Sequence, residues 1–358
     1  MLFLGTKMTS TLHNITFSFY GFGISIKCQD QQTLKNIHRD FSFFINDAIT
    51  PQISFEIFNE APNYSQYPPL KATHYSPRNI CYRQGDLTFI DYFGHGLTII
   101  DHSTNIYRIF SADAHLRHEI VFLTVLSLTG QELDSKSIHR VHGLGLEINH
   151  KALLLLMPSG GGKTTLLLEL LKNELDSRFR GNDKDSCPIK LISEDSPLID
   201  RSGNALPFPI RIGVSQSSKP ADIPQEHMHL IQRMEFGPKY VIDSAFFKDK
   251  LSTKPVKVQY VFCGKRCLGN ESSIKPLSKY AALKELIINS VIGVGLYQGI
   301  EFLLQHGIWG LIKKSGVIFS RLKNALIILS RSRTYAFVIG CDRTKNVETF
   351  LNFCRENV

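Results

Sequence analysis

Between Leu153 and Leu171 the chain reads LLLLMPSGGGKTTLLLELL, and the middle of this run holds residue types and spacing that could do chemistry. Consecutive glycines let backbone N–H groups turn inward onto a phosphate, and a helix starting directly after them adds positive potential at the same place. Lys163 would then reach the β- and γ-phosphate oxygens of a nucleotide and Thr164 would offer its hydroxyl to Mg²⁺, so the expected cofactors are ATP and Mg²⁺. The expected binding set is Ser159, Gly160, Gly161, Gly162, Lys163, Thr164 and Thr165. The strict phosphate-loop pattern GxxxxGK(S/T) asks for glycine where this chain has Met157, and the rest of it is kept. A glycine-rich turn that merely precedes a lysine is the rival reading. Both flanks argue against it, because Leu153 to Met157 reads as a buried parallel strand and Leu166 to Leu171 as a helix.

A second group follows in IKLISEDSPLID, from Ile189 to Asp200, an apolar strand that ends in Glu194 and Asp195. Carboxylates at the C-terminal end of a strand sit beside the phosphate loop in an open parallel sheet, within reach of Mg²⁺ and a γ-phosphate. A solvated strand end is the alternative. Between the two groups lies DSRFRGNDKDSC, residues 176–187, polar and without periodicity, hence an exposed loop. Its wording is similar to translated bacterial intergenic repeats, which makes it an insertion, against the rival view of an arginine finger at Arg178 or Arg180. Arg211 reads as a surface residue or as a second phosphate contact, and LSLTGQ, from Leu126 to Gln131, reads as core packing.

These groups must be positioned by a chain of 358 residues, 43% hydrophobic and 20% charged, enough for about two globular domains. Residues 12–110 alternate short β-rich runs with turns, including ITFSFYGFGISIKC, FSFFI, ISFEIF, NICYRQGDLTFIDY, GLTIID and NIYRIF. A helical pattern runs from Ala112 to Leu133. The chain therefore divides into a β-rich domain over 1–133 that ends in a helix and an α/β nucleotide-binding domain over 134–358. In the latter, VKVQYVFCG and TYAFVIGC read as strands, while PLSKYAALKELIIN and NVETFLNFCREN read as helices.

The net charge of +9 is spread along the chain and not clustered, which disfavours nucleic acid as a partner. Seven scattered cysteines without CxxC pairing suit a reducing compartment, and Cys263-Gly-Lys-Arg-Cys267 reads as a strand end and turn. MLFLGTKM has too short an apolar core for a signal peptide, and Asn289, Gln298, Glu301, Gln305 and His306 interrupt the apolar stretch from Leu286 to Ile312. The expectation is a cytoplasmic protein with no membrane span.

Taken in order, Val141-His142-Gly143-Leu144-Gly145-Leu146-Glu147-Ile148, the strand LLLLM, PSGGGKTT and LISEDSPLID resemble the HPr kinase family over about residues 140–300. The resemblance implies an HPr kinase-like α/β P-loop kinase domain preceded by a smaller β-rich domain. It makes Lys163 the phosphate clamp, Thr164 and Asp195 the Mg²⁺ ligands, Glu194 the general base, and His142 a residue at the edge of the site; a turn histidine capping the strand is the alternative for His142. The chain departs from the family at Glu194, where aspartate is usual, and lacks a stretch like Glu-Arg-Gly-Leu-Gly, which points away from phosphorolysis and from HPr itself. PFPIRI, the PLSKYAALKELIINS helix and the β-rich N-terminal region look more like the HPr-kinase-like proteins of peptide-modification cassettes such as the SynChlorMet type. The implied activity is transfer of a γ-phosphate to a serine hydroxyl of a peptide or protein or to a small hydroxylated molecule, in a protein that forms homo-oligomers. The alternative is a nucleotide-binding regulatory or assembly protein with little or no phosphotransfer.

Overall fold

Tyr20 and Gly21 both hold positive φ, 54° and 83°, the backbone that a two-residue primed hairpin turn demands. They join β1 (His13–Phe19) to β2 (Phe22–Cys28) in the computed structural model, which describes residues 13–179, 188–216, 219–220, 222–233, 237–292 and 307–358 and leaves aside the side chains of 173–179 and 307–314. The protein is mixed α/β, with several sheets and a β-rich N-terminal region. Its chain divides into two units, one of Met1–Val125 with Leu230–Lys239, the other of Leu126–His229 with Tyr240–Val358.

In the first unit β3 (Ile53–Phe58), β4 (Ala72–Tyr75), β5 (Ile80–Gln84), β6 (Leu87–Asp91), β7 (Leu97–Asp101) and β8 (Ile106–Phe110) complete an eight-stranded sheet in the order β1-β2-β3-β8-β7-β6-β5-β4. β2, β3 and β8 run parallel, and β8 back to β4 is an antiparallel meander. The parallel step from β2 to β3 needs a crossover, supplied by α1 (Gln31–Asp40). Asp30 caps that helix, its carboxylate accepting from the backbone N–H groups of Gln32 and Thr33. This Asp cap is the sequence signal for a helix that the strand-by-strand reading passed over.

FSFFI, expected as a strand, instead holds a 3₁₀ turn over Ser42–Phe44. Phe41 and Phe44 are both buried at a spacing of three, the period of a 3₁₀ turn, whereas a strand would bury alternate residues. Phe41 packs edge-on against Phe17 and Phe19, with ring centroids 5.6 and 5.5 Å away. The helix expected over Ala112–Leu133 is α2 (Ala114–Ser135), inside which the division between units falls. LSLTGQ lies mid-helix with Leu126, Ser127 and Thr129 buried.

The second unit is organised around β10 (Leu144–Ile148), β11 (Lys151–Leu156), β12 (Ile189–Ser193), β18 (Val256–Arg266), β19 (Ser273–Pro276) and β20 (Arg333–Ile339), in the order β12-β10-β11-β18-β20-β19. β9 (His139–Arg140), β13 (Leu198–Ile199) and β14 (Asn204–Leu206) branch from the start of β18. β15 (Ile212–Ser215), β16 (Met228–Ile231) and β17 (Lys239–Ile242) form a separate three-stranded sheet. β11 runs parallel to β18, as expected, but its other neighbour β10 is antiparallel. β12 in turn is antiparallel to β10, so β11 and β12 point the same way with a reversed strand between them. The expected open parallel sheet is mixed at this point: Asn149 and His150 adopt φ of 49° and 59°, making a two-residue hairpin that folds β10 back on β11.

Helices cover both faces of this sheet. Ala282 and Leu286 of α4 (Lys279–Leu286) and Ala325, Ile328 and Leu329 of α5 (Gly307–Arg331) pack with Leu154, Leu156 and Cys263. On the other face Phe350 and Phe353 of α6 (Arg343–Asn357) meet Phe262, and α3 (Lys163–Phe179) lies beside α6. Ser278 caps α4, which passes into a π turn over Ile287–Ile292. Arg180 to Cys187, most of the expected insertion at 176–187, lie outside the described residues, as do 293–306 of the apolar stretch. Among the described residues no helix is long and apolar enough to cross a membrane. Cys263 is buried on β18, and burial raises its thiol well above the ordinary value, so it is an inert core residue.

A buried charge cluster fastens α2, β9 and α5 together. Asp134 accepts from Arg321 Nη2 at 2.7 Å and lies 2.7 Å from His139 Nδ1, while His139 Nε2 meets Ser320 Oγ at 2.8 Å. Burial alone would raise the Asp134 carboxyl, but the His139 hydrogen bond and the Arg321 charge outweigh it and hold the group below the usual carboxylate range. A carboxylate lowered on folding stabilises the fold above its unfolded value of about 3.9, and that contribution is lost as pH falls through the lower folded value. Asp134→Asn is therefore expected to cost the second unit about 3 to 5 kcal/mol at pH 7 in urea titrations, because it strands the buried Arg321 charge. The gap between variant and wild type should narrow as the same titration is repeated below pH 4; an unchanged gap contradicts the assignment.

Candidate functional site

The glycine-rich loop begins where β11 ends. Its apolar strand stops at Leu156, the chain turns through Met157 to Gly162, and α3 starts at Lys163, with the Gly161 N–H closing a turn onto the Pro158 carbonyl at 3.0 Å. Gly160 and Gly162 carry φ of 76° and 107°, which side chains disfavour. The first N–H groups of α3 have no partner within the helix and face the loop end. Ser159 and Gly160 are exposed at the lip, and Thr165 is half-buried one step into the helix.

Met157, the residue in the glycine position, is 1% exposed. A Cβ added to Gly161 would stand 2.5 Å from Met157 Cγ and 2.9 Å from the Pro158 carbonyl, and one added to Gly264 would stand 3.0 Å from Met157 Sδ. The thioether therefore lies packed under the loop between two bare backbones. The departure from the strict pattern is met by glycine at both faces of the methionine.

Lys163 is 5% exposed, and its ammonium is shared among several partners. It donates to the Met157 carbonyl at 2.7 Å and the Pro158 carbonyl at 3.4 Å, meets His142 Nε2 at 3.0 Å, and lies 3.6 Å from Asp195 Oδ1. An ammonium has only donors, so in this contact Nε2 can only accept, whereas toward the Asp195 carboxylate the same nitrogen can only donate. His142 Nε2 is also 3.2 Å from Asp195 Oδ1, which puts the lysine charge beside both groups. The backbone fixes this meeting: the N–H groups of Val141, His142 and Gly143 donate to the carbonyls of Pro197, Asn289 and Asp195. Gly143 has no alternative here, since a Cβ would come within 2.8 Å of the Leu155 carbonyl.

The two acids part company. Glu194 is 8% exposed and accepts a hydrogen bond from the Thr164 hydroxyl, while the Asp195 side chain is 42% exposed and faces Lys163 and His142. The expectation put Asp195 on the metal and Glu194 at the acceptor; of the two, it is Glu194 that lies beside the Thr164 hydroxyl. Neighbouring hydroxyl and carboxylate oxygens fit Mg²⁺, which takes one or two protein carboxylates and completes its shell with phosphates and water. Among the described residues no group of three or more His, Cys, Asp or Glu could hold a metal ion by itself, so such an ion would depend on the nucleotide.

Two residues of this site escaped the sequence reading. Asn289, in the π turn, is 4% exposed and offers its carbonyl to the His142 N–H. Arg266, at the end of β18, has its Nη1 3.4 Å from where a Cβ on Gly162 would stand. The available signal for Arg266 was a basic residue closing an apolar strand, informative only once β18 is known to lie against β11. Arg211 is half-buried just before β15. No protein-family model matches this chain, and no curated protein matches it in sequence.

The packing under the loop makes a prediction about stability. Gly161→Ala overpacks Met157 and the Pro158 carbonyl, with an expected loss of about 1 to 3 kcal/mol in chemical denaturation. Met157→Ala removes part of that clash, so the double variant should lose less than the sum of the two single losses. Strict additivity would show that the methionine does not pack under Gly161.

Proposed function

We propose that this chain is an ATP-dependent phosphotransferase resembling the HPr kinases, which moves the γ-phosphate of Mg-ATP onto a hydroxyl of a peptide, a protein serine or a small molecule. The observation that carries the reading is the convergence at the ends of β11 and β12: a glycine loop, a buried lysine at a helix start, and two acids with separate contacts. Loop amides and Lys163 grip and neutralise the β- and γ-phosphates, leaving the charge that develops on the leaving ADP stabilised. Thr164 and Glu194 would hold Mg²⁺, which supplies further neutralisation of the phosphate oxygens when bound.

Asp195 takes the acceptor's proton. Its carboxylate is reachable from solvent, and the Lys163 ammonium lies 3.6 Å from its Oδ1. As the acceptor oxygen bonds to the γ-phosphorus, the bond from that phosphorus to the β–γ bridging oxygen breaks, the acceptor proton passes to Asp195, and ADP leaves. Most of the acceleration would come from positioning and charge, since a loose phosphoryl transition state needs little covalent help.

Calorimetry and slow ADP release to water test the assignment. Lys163→Ala is expected to abolish measurable Mg-ATP binding. Glu194→Gln should raise the Mg²⁺ concentration needed for binding, whereas Asp195→Asn should bind normally and release ADP about 10²- to 10⁴-fold more slowly. The reverse pattern would return the base to Glu194. Binding with no ADP from any form would favour a nucleotide-gated regulatory or assembly protein.

A further inference from the structure

We infer that Arg266 is a polyphosphate ligand of the loop, reaching the phosphates from the end of β18; this rests on the nucleotide reading of the site above. Three observations converge on it. First, strand register places it there: β18 runs parallel to β11 with Leu156 beside Cys263, so the residues after Cys263 run out alongside the phosphate loop. Gly264 lies against Met157, and Arg266 follows two residues later on the same strand end.

Second, the loop makes room for it. Arg266 Nη1 stands 3.4 Å from the position of a Cβ on Gly162, the residue directly before Lys163. Any side chain at Gly162 would occupy the space between the guanidinium and the loop. The glycine there serves both the φ of 107° and the approach of the arginine.

Third, the guanidinium is uncommitted. Among the described residues the Arg266 guanidinium makes no hydrogen bond, ion pair or ring contact, although it is exposed beside a loop whose lysine and acids are all engaged. Arg343, by comparison, lies 3.9 Å from the Glu169 carboxylate. A free planar fork of donors next to a backbone cradle matches the oxygens of a di- or triphosphate, which it can engage in pairs. Lys163 and Arg266 then bracket the phosphates, one from the helix start and one from the strand end.

The test uses the full chain, with inorganic pyrophosphate, Mg-ATP and adenosine as calorimetric probes. Arg266→Ala should weaken pyrophosphate and Mg-ATP binding by about 10- to 100-fold, the range for a hydrogen bond to a charged group, and leave the melting temperature nearly unchanged because the side chain is exposed. Arg266→Lys should recover only part of the loss, since it keeps the charge without the fork. Equal binding by wild type and Arg266→Ala overturns the inference, and so does full recovery by lysine, which would reduce the role to a point charge. If wild type binds pyrophosphate through Arg266 but not Mg-ATP, the ligand assignment stands and the kinase reading falls. Binding of neither probe overturns both.

Discussion

The site depends on one ammonium group buried to 5% exposure at the start of α3. A charge at that depth is costly unless surrounding groups compensate it. Lys163 draws compensation from separate parts of the chain: carbonyls of the loop, the imidazole of His142 from the segment before β10, and the carboxylate of Asp195 after β12. The mixed pairing of the sheet follows the same requirement. Only with β10 reversed between β11 and β12 does the His142-Gly143 backbone reach both the Leu155 carbonyl and the Asp195 carbonyl. The aromatic packing of α6 on β18 and the apolar packing of α4 and α5 on the other face hold the sheet that carries these strands.

Met157 imposes a second constraint on the same few ångströms. Its burial stabilises the end of β11 by about 1.5 to 3 kcal/mol, and it claims space that a glycine would have left empty. Gly161 and Gly264 supply that space from the loop and from β18. The loop therefore departs from the strict pattern at one position while keeping its backbone turn. The same close approach of β18 carries Arg266 to the lip.

Local chemistry was legible in the sequence and distant pairing was not. The glycine loop could be read because its strand, turn and helix lie within about twenty residues, and the acid pair because it closes an apolar run. The separate contacts of the two acids rest on the Thr164–Glu194 hydrogen bond, which no spacing encodes. Arg266 comes beside the loop only through the register of β18 on β11, a tertiary fact. FSFFI misled because β propensity outvoted the spacing of Phe41 and Phe44, and α1 was missed because its Asp30 cap sits directly after an obvious strand. Asn289 showed in the sequence only as a polar break in an apolar stretch, since its contribution to the site is a backbone carbonyl.

The hairpin of β10 and β11 also sets an order of assembly. Ile148 and Lys151 face each other across two residues, so this pair can close within microseconds of its synthesis. The parallel partner of β11 arrives roughly a hundred positions later, when Cys263 comes beside Leu156. Until then β11 presents an open apolar edge, one of the most aggregation-prone surfaces a nascent chain can carry. The hairpin thus gives the chain an early nucleus and, with it, a period of exposure that ends only when β18 docks.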